Sequence, residues 1–117
     1  MAADAGLVAW VAEAMAPVGA VAARAMMGGV TLYCDGTVFA IIADDLLWFK
    51  ADGESDAEWD AAGCARFAVT MKDGRVASMN YRRAPDDCYD DADALRRWGG
   101  LALAAGLRAP AKKRSRR

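Results

Sequence analysis

Hydrophobic residues recur at helical spacing near the two ends of the chain. In the first eighteen residues the apolar positions follow three- and four-residue steps, at Leu7, Trp10, Val11, Ala14, Met15 and Val18. Asp4 precedes them as a helix N-cap, and Pro17 with Gly19 ends the pattern. Near the other end the apolar stripe is Leu95, Trp98, Ala102 and Ala105, after an acidic run at 86–93 that suits a helix N-terminus. The pattern predicts one amphipathic helix at each end.

The segment between these helices consists of short runs with β-strand character. The runs are 21–27, 30–34, 37–43, 46–50, 67–71 and 76–83. Asp35-Gly36 joins two of them, and this dipeptide is typical of a tight hairpin turn because both residues tolerate positive φ. Ser55 and Glu58 have the spacing of a capping box, which predicts a short helix that Gly63 ends. The fold class predicted is α+β, with an antiparallel sheet of about five to six strands.

Two of the predicted strands are apolar on both faces. In 37–43, Phe39 and Ile41 alternate with Val38 and Ile42, and in 46–50 Leu47 and Phe49 alternate with Leu46 and Trp48. An antiparallel sheet with one face in water does not show this pattern. Either helices cover both faces of the sheet, or a second copy of the protein covers one.

Composition excludes several kinds of chemistry. The 117 residues include no histidine, which removes histidine-based catalytic dyads, triads and metal sites. Cys34, Cys64 and Cys88 are widely spaced and form no Cys-x-x-Cys pair, so we expect buried, reduced thiols. We therefore predict a protein that is not an enzyme and carries no cofactor or metal.

The charges divide the chain into an acidic body and a basic end. Residues 1–111 carry 10 positive and 16 negative side chains, and the last six residues hold five cations, Lys112, Lys113, Arg114, Arg116 and Arg117. We predict a domain over 1–109 and a disordered basic tail over 110–117. The acid in Met1-Ala2-Ala3-Asp4 does not suit a signal peptide, and the apolar runs are too short to span a membrane. These features predict a soluble, cytoplasmic protein.

Three short motifs each allow a functional and a structural interpretation. Asp44-Asp45 offers paired carboxylates for acid–base work, but Asp is also favoured at tight turns. Gly28-Gly29 lacks the further glycine and the following helix of a phosphate-binding loop, so a turn between strands is the better interpretation. Tyr81-Arg82-Arg83 can stack on and neutralise single-stranded nucleic acid. Alternatively, its charges can keep an edge strand from pairing with another chain.

A long motif runs through most of the chain. It reads Met26-x-Gly28-Gly29, Leu32-Tyr33, Asp35-Gly36, Asp44-Asp45 and Lys50, followed by Gly74-Arg75, Met79, Tyr81, Ala84-Pro85 and the closing helix with Leu95 and Trp98. This motif resembles that of the N-terminal domain of the TfoX family, also called Sxy, of bacterial competence regulators, and the resemblance covers about residues 5–108. Met27 stands where the family usually has Phe, and Gly99-Gly100 stand where it prefers Ala-Arg.

The resemblance implies a secretion-chaperone-like α+β domain, a homodimer and no catalytic residues. It also implies a role in transcription through a protein partner, although this chain ends in the basic tail where full-length regulators carry a second domain. Arg24 and Lys50, lone charges in apolar strands, and Tyr81 with Arg82 are the surface positions predicted to bind that partner. The alternative is a small nucleic-acid-binding protein whose tail contacts phosphates.

Overall fold

The computed structural model describes residues 2–26 and 28–109. Its helices are α1 (Ala2–Met15), α2 (Asp56–Ala61) and α3 (Ala92–Arg108), with a 3₁₀ turn at Asp86–Tyr89. Its strands are β1 (Val21–Met26), β2 (Gly29–Cys34), β3 (Thr37–Ala43), β4 (Leu46–Lys50), β5 (Arg66–Thr70) and β6 (Val76–Arg83). They form one antiparallel sheet in the order β1-β2-β3-β4-β6-β5. The predicted α+β fold is confirmed.

All three helices pack against one face of the sheet. Side chains from α1, α2 and α3 join one hydrophobic cluster with strand residues that alternate along β2, β3 and β4. The strand members include Leu32, Ile42, Leu47 and Phe49. Trp59 of α2 lies at the centre of this cluster, with its ring 5.8 Å from Phe49 and 4.7 Å from the ring of Trp98. The sequence left two ways to cover the sheet, by helices on both faces or by a second copy of the protein. The first is wrong for the described residues, because their helices cover one face.

The alternation predicted for β3 fails at one point. Phe39 and Ile41 were expected on the same face, but Phe39 packs in the helix-side cluster while Ile41 is buried outside it. The register between β2 and β3 shifts between Leu32 and Tyr33, where Leu32 faces Ala40 and Tyr33 faces Val38. This bulge inserts Phe39 as an extra residue, and a bulge changes the side to which a strand residue points.

Two glycines let α3 lie close to its neighbours. A Cβ built at Gly106 would lie 2.4 Å from the Val38 carbonyl oxygen, and one at Gly99 would lie 2.7 Å from the sulfur of Met15. Real Cβ atoms do not approach a backbone oxygen so closely, so Gly106 requires a residue without a side chain, whereas at Gly99 the nearest atoms belong to the flexible end of Met15, which can shift. A Cβ at Gly100 would meet nothing within 4 Å. Gly106 thus permits the close approach of α3 to β3, and Gly99 leaves room for the Met15 side chain.

The predicted N-cap of α1 is wrong, whereas α2 starts after Ser55 as predicted but without the predicted capping box. Helix α1 already begins at Ala2, so Asp4 lies inside the helix instead of capping it. The capping box of Ser55 and Glu58 does not form either, because Ser55 has a helical backbone conformation and its side chain makes no cap hydrogen bond. Instead the Ser55 hydroxyl accepts a hydrogen bond from the Asp52 backbone N–H at 3.0 Å. This bond stabilises the turn that leads into α2.

The predicted turns are confirmed. Asp35 and Gly36 both adopt positive φ between β2 and β3, as do Asp44 and Asp45 between β3 and β4. At the start of α3 the Asp91 carboxylate accepts hydrogen bonds from the backbone N–H groups of Asp93 and Ala94. The acidic residues in these segments therefore have structural roles. Within 2–26 and 28–109, no helix has the length and apolar character needed to cross a bilayer.

Candidate functional site

The face of the sheet opposite the helices, here called the open face, carries a continuous row of directly paired residues. Arg24 in β1 pairs with Thr31 in β2, which pairs with Ile41 in β3. Ile41 pairs with Trp48 in β4, and Trp48 pairs with Arg83 in β6. Directly opposed residues of an antiparallel sheet point to the same face. The row therefore crosses five strands with an arginine at each end and an apolar centre.

Aromatic side chains cover the centre of the open face. The rings of Trp48 and Phe67 meet edge to face with centroids 5.0 Å apart, and the Trp48 indole N–H donates to the Ala43 carbonyl oxygen at 3.3 Å. Ile41 is 3% exposed although it lies outside the helix-side cluster, and Trp48 is its direct neighbour on β4. The result is a fixed apolar surface, and such a surface is suited to contact with another molecule.

A second pair lies beside this row. Lys50 pairs with Tyr81 across β4 and β6, and the Lys50 ammonium lies 5.3 Å from the centroid of the Tyr81 ring. Tyr81 is 8% exposed. Burial raises the pKa of its hydroxyl, and the nearby Tyr33 raises it further, so Tyr81 stays protonated and neutral in the physiological range. The pair adds a cation and a buried aromatic ring to the open face.

Arg82 points the other way and is 3% exposed. It pairs with Phe49, on the helix side of the sheet, and its guanidinium reaches α2. The Nη1 atom donates to Asp60 at 2.7 Å and to the Cys64 carbonyl at 3.0 Å, and Nη2 donates to Asp56 at 3.1 Å. Burial acts to lower the pKa of Arg82, but the hydrogen bonds and charges of the two carboxylates outweigh it and raise that pKa. Arg82 thus ties α2 to the sheet.

The four predicted partner-binding positions are therefore not one group. Arg24, Lys50 and Tyr81 lie on the open face, and Arg82 lies on the helix side. The expectation that Tyr81 and Arg82 are surface positions is wrong, because both are buried. The edge-strand interpretation of this segment is also wrong, since β6 lies between β4 and β5. Whether any of these residues contacts a partner stays a prediction.

Sequence reasoning missed Arg83, Trp48 and Phe67 as members of one surface. The apolar character of both faces of β4 was the available signal, but only the strand pairing shows which residues of other strands join it. The positions predicted to bind nucleic acid, Lys112, Lys113, Arg114, Arg116 and Arg117, lie outside the described residues. The tail hypothesis stays a prediction.

Metal ligands and reactive thiols are the remaining kinds of chemical site to consider among the described residues. Within them, no group of three or more cysteine, aspartate or glutamate residues is placed to hold a metal ion. Cys34, Cys64 and Cys88 are free and buried, as predicted. Burial raises the pKa of each thiol, and for Cys88, with added effects from Cys64, Asp87 and Asp91, it reaches about 12. These thiols are poor nucleophiles at neutral pH.

Comparison with known proteins identifies the family. The profile of the TfoX N-terminal domain matches residues 13–106. The chain is 36% identical over 58 residues to DNA transformation protein TfoX1 of Aliivibrio fischeri, a match that covers 50% of this chain and 27% of that protein. It is 27% identical over 104 residues to Protein Sxy of Escherichia coli, covering 89% of this chain and 49% of that protein. The matches thus span about half or less of these relatives, and the chain belongs to the TfoX N-terminal domain family.

Proposed function

We propose that this chain is a non-enzymatic interaction module that influences transcription through a protein partner, and that the partner docks on the open face. The observation that carries this assignment is the placement of all three helices on one side of the sheet. The opposite side presents Trp48 between the cations Arg24 and Arg83, with Phe67 of β5 in contact with Trp48. An apolar surface with a charged rim has the composition of a protein interface.

The family supplies the regulatory part of the proposal. A relative named for DNA transformation matches half of this chain, and the matched family is that of competence regulators. We extend the link with DNA transformation to this chain as part of the proposed function. No catalytic residue is assigned, and the docking residues are Arg24, Lys50, Trp48 and Arg83.

The test removes access to the open face without changing its charge. Thr31 lies in the row between Arg24 and Ile41 and is half-buried, so Thr31→Tyr adds bulk where a partner would sit. Ala57→Tyr adds the same bulk on the exposed side of α2 and is the matched control. In the organism that encodes the chain, the gene is deleted and replaced by each variant, and transcript levels and transformation frequency are measured.

We expect deletion to change a defined set of transcripts, and we expect wild type and Ala57→Tyr to restore them. Thr31→Tyr is expected to fail while its circular dichroism spectrum and melting temperature match those of the control. Trp48→Ala is a second open-face variant, in case added bulk disturbs the sheet. Full restoration by folded Thr31→Tyr and Trp48→Ala would contradict docking on this face, and unchanged transcripts after deletion would contradict the regulatory role.

A further inference from the structure

The six strands contain cations and no carboxylates. Arg24, Lys50, Arg66, Arg82 and Arg83 lie in strands, and none of the six strand sequences contains Asp or Glu. The carboxylates of the described residues lie in helices, turns and loops, although residues 1–111 carry 16 acids against 10 cations. The sheet is thus locally positive in an acidic domain.

Two of these cations, Arg24 and Arg83, lie on the open face at the two ends of the apolar row. Arg66 and Arg82 are bound to groups on the helix side, Arg66 to Asn80 and Asp56 and Arg82 to Asp56 and Asp60. Arg24 and Arg83 are exposed, and within the described part of the chain neither has a carboxylate within 4.0 Å. Neighbouring strands lie about 4.8 Å apart, so four steps across the sheet place these two backbones roughly 19 Å from each other.

We propose that the open face binds an amphipathic acidic helix of a protein partner, with apolar side chains over Ile41 and Trp48 and carboxylates near Arg24 and Arg83. This inference rests on the proposed function and specifies the chemistry of the partner. A helix rises 1.5 Å per residue with 3.6 residues per turn, so two acidic positions about 14 residues apart span roughly 21 Å and lie on nearly the same face of the helix.

A helix suits this face better than an extended segment. The row crosses the strands, and a segment lying along it meets an apolar surface without strand edges to pair with. An extended backbone would there leave its N–H and C=O groups without partners, whereas a helix satisfies them internally. The chain's own helices cover the opposite face of the same sheet.

A second copy of this chain fits the face less well. A two-fold dimer through the open face would place Arg24, Lys50 and Arg83 of one protomer near the same cations of the other, with no strand carboxylate between them. Like charges opposed across an interface weaken it. The charge distribution therefore favours an acidic partner over a copy of the chain.

Nucleic acid is disfavoured by the state of the aromatic rings. Single-stranded nucleic acids bind to proteins by stacking their bases on open faces of aromatic rings. Here, however, Lys50 lies over the Tyr81 ring and Phe67 contacts Trp48. Asp44 and Asp45 are exposed at one end of the face, where a long phosphate backbone would meet them. A short acidic helix needs only two local cations.

The test uses the full chain and three designed helical peptides that share one apolar stripe. The first carries Glu at two positions 14 residues apart, the second carries Lys there, and the third carries Gln. Binding is measured by fluorescence anisotropy at low and high salt, with fluorescent oligo-dT as a fourth ligand. Sedimentation velocity of the protein alone reports self-association.

We expect the Glu peptide to bind at least about tenfold more tightly than the Gln peptide and to weaken with salt. Arg24→Glu/Arg83→Glu should lose this preference and bind the Lys peptide instead, and Arg24→Glu alone should show part of the change. Lys72→Glu/Arg75→Glu makes the same charge change in the exposed β5–β6 turn and should leave the preference intact.

Equal binding of all three peptides, no binding of the Glu peptide up to about 1 mM, or tighter binding of oligo-dT would each overturn the acidic-helix assignment. A wild-type dimer that Arg24→Glu/Arg83→Glu disrupts would also overturn it. The proposed function has a separate readout, because Thr31→Tyr tests docking in cells without altering charge. If the Glu peptide does not bind as expected but Thr31→Tyr still fails to restore transcription, the acidic helix is rejected and docking on the open face is retained.

Discussion

Tyr81 and Arg82 are consecutive in β6, yet their side chains lie on opposite faces of the sheet and have unrelated roles. Tyr81 lies under the ammonium of Lys50 on the open face. Arg82 binds the carboxylates of Asp56 and Asp60 and the Cys64 carbonyl on the helix side. One step along a strand thus separates a residue of the candidate interface from a residue that holds the fold together.

Arg82→Ala should destabilise the domain by about 3 kcal/mol, because it removes a buried cation with three partners and leaves the Cys64 carbonyl without its side-chain donor. Arg82→Met should cost less, since its side chain fills most of the same space without a charge. Urea denaturation followed by tryptophan fluorescence measures both. Arg75→Ala, at an exposed pair with Asp73, is the control and should change stability by less than about 0.5 kcal/mol. Equal losses for Arg82→Ala and the control would contradict a structural role for Arg82.

Two glycines of α3 should respond to alanine in opposite directions. Gly100→Ala places a Cβ in open space and should stabilise the protein by up to about 1 kcal/mol through helix propensity. Gly106→Ala forces a Cβ against the Val38 carbonyl and should destabilise it by about 1–3 kcal/mol. Thermal denaturation of the two variants checks both signs. A stabilising Gly106→Ala would show that α3 does not pack this closely on β3.

Stability at low pH should depend on Asp52. The Arg108 guanidinium donates to the Asp52 carboxylate at 2.7 and 2.8 Å, and this contact lowers the pKa of Asp52 from 3.8 to about 2 despite partial burial. A depressed carboxyl pKa stabilises the folded state fully above about pH 4, and the contribution is lost as the pH falls towards 2. Asp52→Asn should therefore lower stability at pH 7 and flatten its decline between pH 4 and 2.

Urea titrations at several pH values measure this dependence. Gly100→Ala, which changes no titratable group, is the control and should keep the wild-type slope in that window. Identical slopes for wild type and Asp52→Asn would show that the contact with Arg108 does not form in solution.

The three thiols should react only when the protein unfolds. Burial raises the pKa of Cys88 to about 12, so its thiol stays protonated at pH 8. Cys34 and Cys64 are also buried with raised pKa values. Iodoacetamide with mass spectrometry should find native protein largely unlabelled and denatured protein labelled at all three positions. Rapid labelling of one cysteine in native protein would indicate local opening around it.

Local sequence signals determined most of the secondary structure. Strands β3, β4 and β6 have the bounds that the alternation and turn residues predict, because Asp35-Gly36 and the acidic β3–β4 turn end the strands by backbone preference alone. The family motif was also readable from the sequence, and the match over 13–106 confirmed it. The Ser55 capping box failed since the Ser55 hydroxyl was used by the preceding turn.

Only the tertiary structure decided which apolar positions share a surface. The sequence showed that β3 and β4 are apolar on both faces, but it did not show that every helix packs on one side, or that the bulge at Phe39 moves this residue into the core. It also placed Tyr81 and Arg82 together as surface residues, when the alternation of β6 separates them. Backbone preferences act between residues close in the chain, whereas the row from Arg24 to Arg83 exists only once five strands pair in one register.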